Sequence, residues 1–426
     1  MAPTSSSSTS YKILVIGAGL GGLGAAIALA RKGHDVTVLE ADAYLNEIGA
    51  GIQISPNSTR ILDKYELTPD LSSHVTWLEA IRFLRYETGE VIGMTRLHPE
   101  MTEKYGYPYW LIHRADLQKV LYDGAIRSGA KVLFLSPVAS VDSRVPSVSL
   151  RNGVQLRADL IVGADGISSL CRKSIFPNSV IDPIPSRSCA YRAVIPSPLL
   201  RVDPETAHLM HTYTSTAWLG PHRQLLGYPI RNGEVFNLVG VHMGKVSNEN
   251  KFSEPGDLGE MKREFADFDP VVKKLLEKVD SASKWQLADV PELQDWVSVS
   301  GKVVLIGDAA HAMVPFLAQG ATSAVEDGAV LAECLARSEN EGDIPQFLHA
   351  FESIRQSRIS TIQKGAHYNG HMLHLPDSEE QRQRDAAMAV DGDGGQKQQL
   401  CPNLWSDSEF SHWLFGFDAF KEWLMN

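Results

Sequence analysis

Short apolar runs alternate with a helical segment near the start of the chain. Lys12–Ile16 and Asp35–Glu40 are apolar runs typical of buried strands, and Leu20–Lys32 between them has helical composition. An order of strand, helix and strand predicts two parallel strands of one sheet. The apolar runs Asp159–Val162 and Lys302–Ile306 predict two further buried strands.

From about residue 186 to residue 242 the pattern changes to alternation between apolar and polar positions. Arg223–Ile230 and Val235–His242 are typical of antiparallel strands with one packed face. This predicts a β-sheet domain inserted into an α/β protein. Two long helices are then expected at Gln319–Arg337 and Pro345–Gln363, followed by a polar surface loop at Pro376–Gln399. The aromatic residues between 405 and 423 are expected to pack back onto the body.

Composition and charge narrow the function classes. The 426 residues are 43% hydrophobic and 21% charged, an ordinary globular balance. Lys and Arg number 40 against 51 Asp and Glu, giving a net charge of −11, which argues against nucleic acid or an anionic membrane as partner. The four cysteines form no CxxC pair and no metal-ligand spacing, so no metal site is expected. The first ten residues resemble a flexible tail and not a signal peptide, so a cytoplasmic protein is expected.

A glycine fingerprint joins the first strand to the first helix. Gly17 allows a tight turn, Gly19 allows the backbone to approach a pyrophosphate, and Gly22 allows close packing of helix on strand. Glu40 ends the second strand, where a carboxylate can bind ribose hydroxyls. The alternative is a purely structural turn. The order of all these features predicts an adenine dinucleotide site, without choosing between FAD and NAD.

Two later segments resemble the class A flavoprotein monooxygenases, the single-component aromatic hydroxylases. They are Asp159–Arg172, DLIVGADGISSLCR, and Gly307–Asp327, GDAAHAMVPFLAQGATSAVED. The resemblance extends from Ile13 to about Asp418 and is greatest for the salicylate-hydroxylase-like branch common in fungal metabolism. It implies FAD as cofactor, with NADPH or NADH as co-substrate. No second glycine fingerprint follows, which argues against enzymes that have a separate nicotinamide domain.

The resemblance also implies roles for individual residues toward FAD. Asp165 matches a family position that helps to bind FAD and the nicotinamide cofactor. Asp308 is expected on the ribityl or ribose hydroxyls, with a helix cap as the alternative. Arg114 matches an arginine that contacts FAD, with a surface salt bridge to Asp116 as the alternative.

A helix N-terminus is expected beside the flavin ring. Gly320 and Ala321 would bring backbone N–H groups close to the ring, where the helix dipole favours the negative charge of the reduced flavin. Gly51 belongs to a loop that matches the family segment passing beside the ring.

The inserted β domain is expected to cover the substrate pocket, as it does in this family. Arg192 matches a substrate arginine and could hold a carboxylate or phenolate, or point outward from its strand. Glu47 could pair with Arg192 across the pocket or position a donor group of the substrate; the alternative is a loop-capping or solvated role. Tyr228 is predicted to make a polar contact with the substrate. Other polar aromatics of the same region are expected to divide between pocket and core: Tyr191, His211, Tyr213, Trp218 and His222.

The resulting hypothesis is an α/β protein with a Rossmann-like FAD-binding domain, an inserted, mostly antiparallel β substrate domain and C-terminal helices. The expected bounds are a tail at 1–10, FAD-binding parts at 11–185 and 286–370, the β domain at 186–285, and a mobile loop and terminal segment at 371–426. The resemblance implies hydroxylation of an electron-rich aromatic small molecule by O₂ through a C4a-hydroperoxyflavin. Epoxidation of an indole-like ring, or a flavin oxidase or dehydrogenase without oxygen transfer, remain alternatives. The oligomeric state is not predicted.

Overall fold

The computed structural model describes residues 9–45, 50–179, 181–247, 251–392 and 402–421. The described residues form nineteen strands: β1 Lys12–Ile16, β2 Asp35–Leu39, β3 Gly51–Ile54, β4 Thr76–Trp77, β5 Ala80–Arg85, β6 Val91–Arg96, β7 Trp110–His113, β8 Lys131–Leu133, β9 Val138–Asp142, β10 Ser147–Leu150, β11 Gln155–Arg157, β12 Leu160–Gly163, β13 Ile184–Pro196, β14 Thr214–Gly220, β15 Arg223–Ile230, β16 Val235–Met243, β17 Ser253–Pro255, β18 Ala282–Asp289 and β19 Val303–Leu305.

Fourteen α-helices connect and cover these strands within the same described ranges: α1 Leu20–Arg31, α2 Pro56–Lys64, α3 Thr68–Leu71, α4 Glu100–Tyr105, α5 Arg114–Arg127, α6 Leu170–Ile175, α7 Ser197–Arg201, α8 Leu258–Glu264, α9 Pro270–Glu277, α10 Asp308–His311, α11 Gly320–Leu335, α12 Ile344–Leu373, α13 Glu379–Gly392 and α14 Ser408–Gly416. Two short 3₁₀ helices lie at Ala207–Met210 and Glu341–Asp343.

A five-stranded parallel sheet in the order β19-β12-β1-β2-β8 forms the first layer. All four strand pairs of this sheet are parallel. The central strands are apolar and fully covered: Ile13, Val15 and Val38 have no exposed surface. Because parallel strands end at a common edge, the segments after β1, β12 and β19 meet at the carboxyl side of the sheet, where ligands of open α/β sheets bind.

Helices α1 and α11 are packed closely beside that edge. A Cβ on Gly328 of α11 would lie 2.7 Å from the backbone of Ala25 on α1. A Cβ on Gly21 would lie 3.1 Å from the Cβ of Ala324. Small residues at this crossing therefore fix the beginning of α11 relative to the glycine-rich turn.

A second, eight-stranded sheet has the order β17-β18-β13-β16-β15-β14-β5-β6. Neighbouring strands within this sheet are antiparallel, except for β14 and β5, which are parallel to each other. The predicted fold class, a Rossmann-like domain with a mostly antiparallel second domain, is confirmed. Strands β5 and β6 come from the chain before residue 97 and join a sheet otherwise formed by residues 184–289, a pairing that local periodicity does not reveal.

The C-terminal part differs from its prediction at one place. The polar stretch 376–399, expected to be a loop, contains helix α13, which packs against β6, where a Cβ on Gly93 would lie 2.9 Å from the Cβ of Met388. Beyond the next gap in the described residues, Trp405, Leu414 and Phe415 are buried against the body. In the ranges given above, no helix has both the length and the apolar character needed to cross a membrane.

Candidate active site

The glycine-rich turn after β1 is tightly packed on its inner side and open on its outer side. Gly17 has a φ of 103°, and a Cβ there would lie 2.5 Å from the carbonyl oxygen of Ala164. A Cβ on Gly22 would lie 2.0 Å from the carbonyl oxygen of Gly17. A Cβ on Gly19 would meet no described atom within 4 Å. The backbone at Gly19 therefore borders open space from which a ligand can approach it.

Glu40 holds the glycine-rich turn from the end of β2. One carboxylate oxygen accepts a hydrogen bond from the N–H of Ala18 at 2.8 Å, and the other accepts one from the N–H of Asp42 at 2.9 Å. Gln118 on α5 donates to the carbonyl oxygen of Ala18 at 2.9 Å. A carboxylate has about four acceptor positions, so Glu40 can still accept hydrogen bonds from the hydroxyls of a ligand.

The loops after β12 and β19 are joined by buried side chains. Asp165 accepts hydrogen bonds from the hydroxyl of Ser169 and from two backbone N–H groups at the start of α6, over 2.5 to 3.0 Å. Arg172 donates to the carbonyl oxygen of Ile167 at 2.5 Å and to that of Ala309 at 2.8 Å. Arg172 therefore links the two motifs that are far apart in sequence.

A buried ionic cluster lies behind the start of α11. Asp327 accepts hydrogen bonds from the N–H of Gly307 at 2.8 Å and from Nε of Arg355 at 2.8 Å, and its carboxylate lies 2.7 Å from Nε2 of His311. Burial by itself would raise the pKa of Asp327, but the interactions with His311 and Arg355 outweigh it and lower the pKa to about 2. The charged carboxylate thus fixes the turn that carries Asp308.

The neighbouring acid extends this cluster to the residue just before α11. Glu326 accepts hydrogen bonds from Arg355 at 2.7 Å, from Arg358 at 2.8 Å and from the amide of Asn57 at 2.6 Å. That amide also donates to Gln319, which directly precedes α11, at 3.3 Å. Burial would raise the pKa of Glu326, but the two arginines lower it. The helix start is therefore held by charges that are almost completely buried.

Two hollows that share part of their lining lie along the sheet edge, and together they are called the groove below. An outer cleft of about 500 Å³ lies over the glycine-rich turn and includes Glu40 in its wall. An inner cavity of about 340 Å³ lies between α11 and the eight-stranded sheet. Gly19, Arg114, Ala164 and Gly166 line both hollows. A single elongated ligand can therefore extend from one into the other.

One wall of the inner cavity comes from the FAD-type motifs. Asp308, the first residue of α10, lies there together with Gly320 and Ala321 of α11 and Gly51 of β3. The first turn of a helix has N–H groups without acceptors inside the helix, and the positive end of its dipole favours negative charge. The start of α11 can therefore stabilise an anionic ligand group in this cavity.

The opposite wall is formed by strands β13, β16 and β15. The register places two cross-strand rows side by side, and their members line the cavity: Ala190, Val241 and Gln224 in one row, and Arg192, Val239 and Leu226 in the other. Most of this wall is apolar. The guanidinium of Arg192 lies over the ring of Trp285, 5.2 Å from the ring centroid, which orients the charge at the edge of the cavity.

Tyr228 connects this wall to β3. Its hydroxyl donates to the carbonyl oxygen of Gly51 at 2.8 Å, while the N–H of Gly51 donates to the side-chain oxygen of Asn237 at 2.8 Å. A Cβ on Gly51 would lie 2.6 Å from the ring of Tyr228. Burial raises the pKa of Tyr228, and the charge of Arg192 lowers it less, so the phenol remains a donor at neutral pH. The hydroxyl predicted to contact substrate thus donates to the protein's own backbone.

Comparison with known proteins assigns the chain to a family. The family model described as "FAD binding domain" matches residues 10–366. The chain belongs to this family. A dinucleotide fits what the groove offers: open backbone at Gly19, acceptor capacity at Glu40 and a helix start at the inner end.

Relatives and solved structures extend the family assignment to the enzyme class. The chain is 34% identical over 409 residues to the FAD-dependent monooxygenase OpS4 of Beauveria bassiana, covering 96% of this chain and 95% of that protein. It is 33% identical over 372 residues to 3-hydroxybenzoate 6-hydroxylase 1 of Aquipseudomonas alcaligenes, covering 85% and 89%. A salicylate hydroxylase substrate complex has the same fold, with a TM-score of 0.80 at 22% identity over 98% of each chain. The protein is therefore a class A FAD-dependent aromatic monooxygenase, as its motifs predicted.

The predicted site residues of this monooxygenase differ in where they lie. The groove brings together nearly all residues predicted for FAD: Gly17, Gly19, Glu40, Gly51, Arg114, Asp165, Asp308, Gly320 and Ala321. Gly22 does not line the groove; it packs against the backbone of Gly17 and so allows the glycine-rich turn to form. Glu47 lies outside the described residues. Among the polar aromatics of the β domain, Tyr191 and Trp218 are core residues, bonded to Glu260 and Asp269.

Sequence reasoning missed several residues that hold the site. Gln118 follows Arg114 by one helical turn on α5, a spacing that could have indicated a shared face. Asn237 is a polar position on the buried strand β16, which is a recognisable signal of a structural hydrogen bond. Arg355 and Arg358 offer no local signal, because their acidic partners lie about thirty positions earlier in the chain.

Proposed function

We propose that the monooxygenase hydroxylates a small phenol or aromatic acid with NADPH or NADH as reductant. The observation that carries the proposal is the groove, in which an outer cleft shares part of its lining with a largely apolar inner cavity that has Arg192 in its wall. FAD bound in this groove would supply an electrophilic oxygen atom after reduction by the nicotinamide cofactor and reaction with O₂. A place in fungal secondary metabolism is part of this proposal, and the similarity to a FAD-dependent monooxygenase of Beauveria bassiana is consistent with it.

The cavity walls determine how a substrate ring would be held. Leu226, Val239 and Val241 present apolar side chains that suit a flat aromatic ring and keep water out. Arg192 would hold a carboxylate, or stabilise a phenolate and so raise the electron density of the ring. The hydroxyl of Tyr228 would act indirectly, because it positions Gly51 and with it the strand beside the flavin.

The groove residues would hold the cofactor at defined places. Glu40 would accept hydrogen bonds from the ribose of the adenosine, and Asp308 from the ribityl or ribose hydroxyls. The N-terminus of α11, at Gly320 and Ala321, would stabilise negative charge on the flavin ring. Arg114 lines both hollows and would contact the cofactor between its two ends.

The experiment that tests this proposal uses the purified FAD-loaded enzyme with a panel of salicylate-type acids, acyl resorcinols and indoles. Consumption of NADPH or NADH and O₂ is followed, and products are weighed by mass spectrometry. We expect substrate-dependent oxidation of the reductant and a product heavier by one oxygen atom. An epoxidised indole would favour the alternative reaction, and oxidation of a substrate without nicotinamide and without oxygen gain would refute the proposal in favour of an oxidase.

A pair of arginine variants tests the substrate side of the proposal. Arg192→Met removes the charge at the cavity, and we expect KM for aromatic acids to rise about 10- to 100-fold with a much smaller change for neutral phenols. Arg144→Met, at a side chain that is 91% exposed, is the matched control. An equal effect of Arg192→Met on acids and neutral phenols would contradict the assigned role.

A further inference from the structure

A third hollow lies at the surface beside the inner cavity, and Phe316 lines both of them. It has a volume of about 280 Å³ and is called the histidine hollow here. Imidazole rings, a serine hydroxyl and an aromatic ring stand in its wall: His222, His367, His371, His374, Ser188 and Phe316. The first three of these histidines are exposed, so the hollow opens to solvent.

One face of the eight-stranded sheet runs under both the histidine hollow and the inner cavity. Along β13, Ala190 lines the cavity and Ser188 lines the hollow, and alternate residues of a strand share a face. Gln224 at the start of β15 lines the cavity, and His222, two residues earlier, lines the hollow. Ala190 and Gln224 belong to one cross-strand row through Val241. The floor of the cavity therefore continues into the hollow, one row and about 7 Å further along the sheet.

The side chain of Phe316 stands at the boundary between the two spaces. Its carbonyl oxygen accepts a hydrogen bond from Nδ2 of Asn369 at 2.7 Å, which fixes the backbone to α12. The ring contacts the imidazole of His374 edge-on, with the centroids 5.0 Å apart. It also lies against Gly370, where a Cβ would come within 2.5 Å of the ring. Because the backbone is fixed and the residue is only half-buried, a change of rotamer is enough to move the ring out of the boundary.

The inner cavity needs an opening that the cofactor does not occupy. The outer cleft meets the cavity at Gly19, Arg114, Ala164 and Gly166, beside the glycine-rich turn, and a dinucleotide in the groove takes up that end. The histidine hollow meets the cavity at a different place, at Phe316. Its apolar and imidazole surfaces suit a flat aromatic compound with polar substituents.

We propose that the histidine hollow is the entrance through which the aromatic substrate reaches the inner cavity and the product leaves, with Phe316 as its gate. The inference rests on the proposed function and adds to it the route of exchange with solvent. The gate is closed when the ring lies between the two spaces, and in that position it keeps water from the cavity. The ring moves aside when a ligand passes along the sheet face from Ser188 to Ala190.

Rapid mixing of the FAD-loaded enzyme with an aromatic ligand, without reductant, tests the inference. The probes are salicylate, 2,4-dihydroxyacetophenone and indole, and flavin absorbance gives the association and dissociation rate constants. Among the described residues, Ser188 belongs to the wall of the hollow and not to that of the inner cavity, so Ser188→Trp fills only the entrance. We expect both rate constants to fall about 10-fold or more while Kd stays within about threefold, because an obstacle on the path slows both directions equally.

A second variant acts in the opposite direction, and a third is the control. Phe316→Ala removes the gate, and we expect the association rate constant to rise about threefold or more. Ser281→Trp places the same large side chain at an exposed position just before β18 and is expected to keep the wild-type rate constants. The ratio of flavin to protein absorbance verifies that each variant is folded and loaded.

Two results would overturn the inference. One is ligand exchange at wild-type rates in both Ser188→Trp and Phe316→Ala. The other is a Kd in Ser188→Trp that changes as much as a single rate constant does, because the substitution then acts on the bound state and not on the path.

The outcome is separable from that of the proposed function. An enzyme that transfers oxygen to an aromatic compound but exchanges ligands at the same rates in all variants retains the proposed function and loses the entrance. An enzyme in which Ser188→Trp slows ligand exchange at unchanged Kd, but which transfers no oxygen, retains the entrance and loses the proposed reaction.

Discussion

Replacing Asp327 by Asn tests whether the buried ionic cluster holds the FAD site in place. The substitution keeps the size of the side chain and removes its charge. Three groups lose a charged acceptor: the N–H of Gly307, the imidazole of His311 and the guanidinium of Arg355. Neither Asp327 nor Arg355 has any exposed surface, so water cannot replace the lost interaction.

Two general relations give the expected loss of folding stability in Asp327→Asn. Removing one partner of a buried ion pair costs about 3 to 5 kcal/mol of stability. A carboxyl group whose pKa is about 2 in the folded protein, against an ordinary value of 3.8, contributes about 2 kcal/mol at neutral pH. Arg355 retains Glu326 as an ion-pair partner, which limits the loss of stability. We therefore expect Asp327→Asn to lower the free energy of unfolding by about 2 to 4 kcal/mol.

The assay is denaturant unfolding of the FAD-loaded protein at several pH values, with Asp295→Asn as control. Asp295 is exposed, and its substitution is expected to change stability by less than about 0.5 kcal/mol. Because the pKa of Asp327 is lowered on folding, its contribution is present above pH 4 and is lost as the pH falls toward 2. The difference between wild type and Asp327→Asn should therefore shrink across that interval. An Asp327→Asn protein as stable as the control, or a difference that stays constant with pH, would refute this reasoning.

Further predictions concern the glycines and the tyrosine of the groove. Gly19→Ala should weaken FAD binding and leave the stability of the apoprotein unchanged, since its Cβ meets only open space. Gly22→Ala should lower the stability of the apoprotein, because its Cβ would lie 2.0 Å from a carbonyl oxygen. FAD titration and thermal unfolding of the two apoproteins distinguish these effects, and equal behaviour of the two variants would contradict the assignment. Tyr228→Phe should cost about 1 kcal/mol of stability through the lost hydrogen bond to Gly51, measured by unfolding, and should leave the substrate KM within about threefold if the hydroxyl serves only the backbone. Gly51→Ala should displace the tyrosine ring and reduce FAD content more than Tyr228→Phe does, as read from the ratio of flavin to protein absorbance.

The parallel sheet, and the gathering of the glycine-rich turn, Glu40 and Asp308 along one groove, could be predicted from the sequence because they depend on local patterns. The glycine fingerprint and Glu40 belong to one strand-helix-strand unit, and Asp308 follows an apolar strand directly. The wall of the inner cavity formed by β13, β15 and β16 was less predictable, since the places of Gln224 and Asn237 depend on which side of a strand faces the cavity. Alternation along β15 leaves two faces open, and only the pairing with β16 and β13 selects one of them.

Residues that act through distant partners could not be found at all. The acids at 326 and 327 were visible as the end of a motif, but nothing near them indicates the arginines that neutralise them. The helix at 379–392 was missed for a related reason: its composition is polar, and it is packed against the edge of a sheet formed by residues far away in the chain.

The eight-stranded sheet has a consequence for how substrate preference can be exchanged between relatives. Its strands are encoded by two separate stretches, 80–96 and 184–289, which meet where β5 pairs with β14. A chimera that takes only the longer stretch from a relative would pair the relative's β14 with this protein's own β5. We therefore expect functional recombinants to carry both stretches from one parent. Single substitutions on β13 and β15 avoid this junction, which makes point mutation a more accessible route to new substrates than exchange of whole segments.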